Sequence, residues 1–388
     1  MASIAEHFRA HLAEFSSWRR DLHAYPETAF EERRTSAFIA GKLREFGLDV
    51  TTGVAETGLV GVLRRGEGPA ITLRADMDAL HIEEANSFAH RSRHPGKMHA
   101  CGHDGHCVIL LAAAKYLAER GRFAGTVNFM FQPAEESEGG AKRMMDEGVL
   151  DRFPAEAVFA LHNFPGLEVG QFAIREGAMM ASFDTFEIRI EGKGGHASTP
   201  HLCDDALRVA AGLVQAIDSL PATAVDSRES AVIAVTKFHA GSEWNVIAGE
   251  AVLGGGVRTF SERARTQIER RLEALCKGAE AGNGIVAHLN YQRRYPVLVN
   301  HAGPTRDLAE SARRVAGPDN VDADFAPVLG AEDFAFFLAA TPGAYIAVGN
   351  GGAAGGCALH NPRYDFNDEI IPLAAHLWVD LVERRLPA

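Results

Sequence analysis

Apolar residues recur along this 388-residue chain in two different rhythms. In the first part, an opening helical segment is followed by Phe38, Ile39, Leu43 and Phe46, one apolar stripe that stops at Gly47. The run AITLRAD (70–76) reads as a buried strand. From Gly105 to Arg120, Leu110, Ala113, Ala114 and Leu117 fall at helical spacing, and GTVNFMF (125–131) and AVFALH (157–162) read as strands again. Strands alternating with helices predict an α/β domain, a mixed and largely parallel sheet flanked by helices.

Near Ala181 the rhythm changes. Phe186, Ile188 and Ile190 alternate with Glu187, Arg189 and Glu191, the period of two expected of a strand with one wet face. A helical pattern (204–219), two strands (231–239 and 250–259), a helix (262–280) and a strand (284–292) follow. The order β-α-β-β-α-β predicts a ferredoxin-like α+β domain. After about Tyr295 the α/β rhythm returns, with a helix near Thr305–Val315 and a strand at AYIAVGN. The pattern thus predicts an α/β domain built from residues 1–180 and 295–388, interrupted by an inserted domain over 181–294.

The length supports two cores. A formal net charge of −12, from 39 Lys+Arg against 51 Asp+Glu, disfavours nucleic acid and anionic membranes as partners. The first 20 residues hold no apolar signal-like core, and no run of about 18 apolar residues occurs. Cys101, Cys107, Cys203, Cys276 and Cys357 are odd in number and scattered, which predicts free thiols and a cytoplasmic location rather than a disulfide framework.

Ligand-type residues gather at the ends of the predicted strands. Asp76 and Asp78 follow one strand, Glu135 and Glu136 another, and His162 ends a third. HACGHDGH places Cys101, His103, Asp104 and His106 ahead of a helix, and His360 follows a glycine-rich loop. In an open α/β sheet, ligands bind beyond the carboxyl ends of the strands, where these segments converge. Cys101 and His103, two apart, point the same way if extended and could share a metal; they read equally well as a structural Cys and a turn His. Glu135 and Glu136, if extended, point opposite ways, one toward a metal and one toward substrate, unless EESEGG is simply a solvated turn. In the inserted domain, His196 follows two glycines, and Asn245 and Arg258 flank a strand; Arg258 could grip a carboxylate or form a surface ion pair.

Ten stretches in order, RRDLHAYPE, LRADMDAL, HACGHDGH, FQPAEE, GGAKRMMDEGVL, ALHN, GKGGHAS, WNVIAGEAVLGGGVRTF, GAEDFAFF and LHNPRYDF, resemble the hippurate hydrolases and auxin-conjugate amidohydrolases. These form a branch of the aminoacylase/carboxypeptidase metallohydrolases, and the resemblance spans nearly the whole chain. It implies hydrolysis of N-acyl amino acids by a water activated by two divalent ions, drawn from manganese, zinc, cobalt or nickel. The implied ligands are Cys101, His103, Glu136, His162 and His360, with Glu135 as general base. Asp76 and Asp78 would stand behind the ligands. His196 would stabilise the oxyanion, and Asn245 and Arg258 would contact a small-molecule substrate. The inserted domain would pair subunits in a homodimer or homotetramer. An N-acetyl-diaminopimelate deacetylase or dipeptidase would share this machinery, and a non-catalytic metal-binding protein would keep the ligands without needing Glu135. Where the family has Pro after NVI, this chain has Ala248 and Gly249, and Gly254–Gly256 are expected to loosen the strand before Arg258.

Overall fold

The computed structural model describes residues 3–136, 138–352 and 358–388, so Cys357 lies outside the described residues. The chain divides into two units. One comprises Met1–Gly177, Val299–Ala326 and Asp333–Ala388; the other comprises Ala178–Leu298 and Pro327–Glu332. Pro327–Glu332 joins the second unit because Val328 bridges Met180 and the Leu329 carbonyl accepts from Arg258.

The first unit is built on an eight-stranded mixed sheet. Its chain-order strands include β1 (Asp49–Val54), β2 (Gly58–Arg65), β3 (Ala70–Asp76), β4 (Gly125–Gln132) and β5 (Ala157–Phe164). The spatial order is β1-β2-β4-β3-β5, then Gly343–Gly349, Phe172–Ala173 and Val321–Asp322. β4, β3, β5 and Gly343–Gly349 run parallel, while β1 and β2 join antiparallel. The parallel strands are apolar on both faces because helices cover them, as such sheets require.

Helices α1 (Ile4–Ala10), α2 (Leu12–Ala24) and α3 (Arg33–Glu45) precede the sheet. Helix α4 (His103–Arg120) packs on β3, β4 and β5, and also on α2, α3 and the helix Ile371–Arg385. Its residues from His103 to Ala114 are all buried, which explains why its sequence is apolar all round rather than striped. The register sets the site: Arg74 faces Ala160, and Asp76 faces Gln132. Asp76 and His162, each two residues further along, therefore stand level at the carboxyl edge of the sheet.

The second unit has four antiparallel strands in the order Ala231–Ala240, Glu250–Thr259, Phe183–Glu191, Val286–Tyr295. With the helices Ala206–Asp218 and Glu262–Asn283 between them, this is the ferredoxin-like arrangement. Ile188, Ile190, Leu253, Leu213 and Ile268 meet in its core. The glycine run does not loosen the strand before Arg258: Gly254, Gly255 and Gly256 pair with both neighbouring strands. A Cβ at Gly255 would stand 2.0 Å from the Ala234 carbonyl oxygen, so the close approach itself requires glycine. The irregularity falls in the facing strand instead, between Val235 and Lys237.

Candidate metal centre

Beyond the carboxyl edge of β3, β4 and β5, three short segments converge with the start of α4. Gly102 takes φ 92 and turns the chain into α4, so that His103 is the helix's first residue. A Cβ on Gly102 would lie 2.3 Å from Asn163 Nδ2 and 2.5 Å from the Tyr364 hydroxyl. Cys101 and His103 therefore flank a left-handed turn instead of lying side by side on extended backbone. Likewise, Ala134 takes φ 55 after Pro133, and the chain turns through Glu135 and Glu136. These two carboxylates do not point opposite ways: both present an oxygen to the same histidine.

The ligand atoms fall into overlapping clusters, each within 4.8 Å. Cys101, Glu136 and His360 form one, and His103, Glu135 and Glu136 another, so Glu136 belongs to both. His162 groups with His103, His106 and Asp76. The Cys101 sulfur lies 3.4 Å from His162 Nε2, and His360 Nε2 lies 3.1 Å from Glu136 Oε1. His360 sits at φ 60, its amide donating to the Ala100 carbonyl.

The hydrogen bonds select tautomers. His162 Nδ1 is 2.6 Å from the Asn163 carbonyl, which can only accept, so Nδ1 donates and the lone pair lies on Nε2. His103 Nδ1 is 3.1 Å from Asp78 Oδ1, the carboxylate–histidine pairing that orients a ligating imidazole. His103 Nε2 is buried and makes no hydrogen bond, while Glu136 Oε1 lies 3.1 Å from His360 Nε2 and 4.0 Å from His103 Nε2. A buried, unpartnered imidazole nitrogen is costly, and a cation satisfies it. This orphaned nitrogen, beside a carboxylate, a thiol and further imidazole nitrogens, fits a divalent ion of the zinc or first-row transition type.

His106 and Asp76 share the cluster but are already engaged. His106 Nδ1 meets Asp76 Oδ1 at 2.6 Å, and its Nε2 accepts the Asn163 amide at 2.9 Å. Asp76 Oδ2 accepts from Arg74 at 2.7 Å. Neither nitrogen of His106 is left to ligate, which places both residues behind the centre. Asp78 lies there too, taking His103 with one oxygen and the Glu136 amide with the other at 3.0 Å.

Burial alone would depress His103, but Asp76, Asp78 and Glu136 outweigh it and raise its pKa to about 10. Burial pushes the Cys101 thiol well up, and Glu136 and Glu135 push it further. His162 is pushed down by burial and by His106, so it stays a neutral imidazole. Excess negative charge is concentrated here, and a divalent cation would offset it and release the protons from His103 and Cys101.

His196, Asn245 and Arg258 lie in the second unit. His196 and Asn245 are brought close, since Val246 pairs with His196 and the Ala197 amide donates to the Asn245 carbonyl at 3.0 Å. Arg258 stacks over the Phe183 ring at 4.6 Å and donates to the Leu329 carbonyl. Several buried residues behind the centre lie within the family-like stretches but were not singled out from sequence, because their roles depend on distant partners. Arg74 binds Gln132, Asp76 and Asp333, and Asp333 also accepts the Ala141 amide. His23 reaches Asp104 from α2.

Thiol, imidazoles and carboxylates converging at the ends of parallel strands are the donor set of a divalent metal centre, and the relatives of this chain make it a metal-dependent hydrolase of amide bonds. The chain belongs to peptidase family M20/M25/M40, whose model matches residues 72–384. It is 37% identical to the hippurate hydrolase of Campylobacter jejuni over 96% of this chain and 97% of that protein. It is 35% identical to the IAA-amino acid hydrolase ILR1-like 4 of Arabidopsis thaliana, over 96% of this chain and 87% of that one. Among solved structures, the YXEP protein of Bacillus subtilis, a dinuclear metal binding peptidase from the M20 family, matches with a TM-score of 0.84 at 32% identity. That match covers 97% of this chain and 99% of the other. No helix among the described residues is long and apolar enough to cross a membrane.

Proposed function

We propose that this protein hydrolyses the amide bond of N-acyl amino acids of the hippurate type, releasing a carboxylic acid and a free amino acid. The observation that supports this most is Glu135, 7% exposed beside His103 and Glu136, because a site that only held metal would need no such extra carboxylate. Two divalent ions held by Cys101, His103, Glu136, His162 and His360 would supply the charge that lowers a water's pKa and neutralises a developing oxyanion.

Glu135 takes the proton from the attacking water and delivers it to the leaving nitrogen. The C–N bond breaks as the new C–O bond is kept, so water is divided between acid and amine. Asp78 keeps His103 in the tautomer that ligates. In the second unit, His196 Nδ1 accepts from the Ser198 amide at 3.1 Å, so its proton sits on Nε2, ready to be given to an oxyanion. Asn245 and Arg258 are assigned to the substrate, and the ferredoxin-like unit to pairing of subunits, both on the strength of the family resemblance.

The test is release of free amine from a panel of N-benzoyl, N-acetyl and indole-acetyl amino acids, by protein chelated and then reloaded with Mn²⁺. Metal-dependent release from one or a few members is the expected result and names the acyl preference. Metal uptake without release from any member would overturn the reading in favour of a metal-binding protein.

A further inference from the structure

Glu32 is an N-cap residue whose side chain does not cap. It precedes α3, yet the first amides of that helix are taken by another carboxylate, Glu27, which accepts from Arg34 at 3.0 Å and Thr35 at 2.8 Å. Glu32 instead turns inward and is 0% exposed. One oxygen accepts from the Thr57 hydroxyl at 2.6 Å, and the other from the Ala134 amide at 2.9 Å. A carboxyl group is costly to bury, so one kept fully out of water has a task or a penalty.

The residue it holds is an unusual one. Ala134 is a non-glycine residue at φ 55, a conformation that alanine rarely adopts without restraint. Its carbonyl is held as well, by the Gly140 amide at 2.9 Å, and a Cβ on Gly140 would collide with the Pro133 carbonyl at 1.7 Å. The next two residues are Glu135 and Glu136, and the Glu136 amide is held by Asp78. Two buried acids thus grip the backbone on either side of Glu135. Asp78 approaches from the end of β3, and Glu32 from the start of α3.

We propose that Glu32 is a positioning residue for the centre: by fixing the Ala134 amide it sets the left-handed turn that aims Glu135 and Glu136. The inference rests on the hydrolase reading for Glu135 and on the ligand reading for Glu136. Its logic is one of length and acceptor position rather than charge. Burial pushes the Glu32 carboxyl up to about 7, against the hydrogen bonds from Thr57 and Ala134. A neutral group of the same length should therefore serve, and a shorter one should not.

The experiment compares Glu32→Gln, Glu32→Asp and Glu32→Leu in the full chain. Asn128→Ala, which removes a buried side-chain hydrogen bond to the Phe153 carbonyl, serves as a stability control. Readouts are kcat, KM, Mn²⁺ affinity by competition with a chelating dye, and melting temperature. Glu32→Gln should stay within about threefold of wild type in kcat, because its amide oxygen still accepts from Ala134. Glu32→Asp and Glu32→Leu should lose about 10- to 100-fold in kcat with KM little changed, the scale of loss that follows a small misplacement of a catalytic group. Their Mn²⁺ affinity should fall about tenfold, the lower range for residues that support a ligand. Asn128→Ala should lose melting temperature alone.

Wild-type kcat in Glu32→Asp, or equal damage in Glu32→Gln and Glu32→Leu, would overturn the proposal. So would a loss of kcat in Asn128→Ala matching that of Glu32→Leu at equal loss of melting temperature. If Glu32→Leu does not fold, Glu32→Asp keeps the buried carboxyl and decides alone. If wild type cleaves no N-acyl amino acid, the hydrolase reading has failed, and positioning is decided by whether Mn²⁺ affinity falls in Glu32→Asp but not in Glu32→Gln.

Discussion

At the scale of the residue, the centre shows how hydrogen bonding chooses between like side chains. Histidine and acidic groups crowd one another, but only those with an unspent lone pair can ligate. His106 has given both nitrogens away, whereas His103 and His162 each keep Nε2. Asp78 is what directs His103, so Asp78→Asn should weaken Mn²⁺ binding by about 10- to 100-fold; unchanged affinity in a chelator competition would refute that role. Glu135 is proposed as the general base. Glu135→Gln should bind its metal normally while kcat falls by at least about 10²-fold, the scale of a lost general base. Near-wild-type turnover would show that the proton goes elsewhere.

At the scale of the element, helix α4 is held at its first turn by a buried charge network. His23 on α2 donates from Nδ1 to Asp104 at 2.9 Å and from Nε2 to Glu84 at 3.2 Å. Arg19 reaches Asp104, Asp365 and Asp368 from the same helix. His90 and His99 also face His23. Burial would depress His23, but the two carboxylates hold its pKa up to about 9. A group raised above its unfolded value near 6.5 gives its full stability below that pH, and loses it as pH climbs through about 9. The shift corresponds to roughly 3 kcal/mol, counted once for His23 together with Asp104 and Glu84. Denaturant unfolding should therefore show stability falling between about pH 6.5 and 9, with a shallower slope in His23→Gln, where His103, raised to about 10, still contributes. A slope unchanged by the substitution would place the titration on another group.

At the scale of the whole molecule, metal and fold are linked. The first unit concentrates buried carboxylates whose repulsion a cation relieves, so occupancy should stabilise the folded state. A ligand at 100 times its dissociation constant adds about 2.7 kcal/mol. Chelation should lower the melting temperature, and Mn²⁺ should restore it. A melting temperature indifferent to chelator would mean that the centre folds equally well without its charge balanced.

Much of this was legible in the chain itself. Period-two alternation and continuous apolar runs reflect how many faces of a strand are buried, so the α/β and ferredoxin-like patterns could be read directly. The runs at 70–76 and 250–259 match their strands residue for residue. Ligand-type side chains at strand ends are chemically conspicuous, but it was the family resemblance that singled out Cys101, His103, Glu136, His162 and His360 among them as the expected ligands. Tertiary structure decided what depends on partners distant in sequence. It turned Glu135 and Glu136 toward one histidine, because the left-handed Ala134 is held by Glu32 from 102 residues away. It withdrew His106 from ligation, because Asn163 and Asp76 occupy both of its nitrogens. It also kept the glycine strand straight, because its hydrogen bonds come from both neighbours and need no side chains. A sequence pattern records what each residue can do; which lone pair remains free is settled only when the partners arrive.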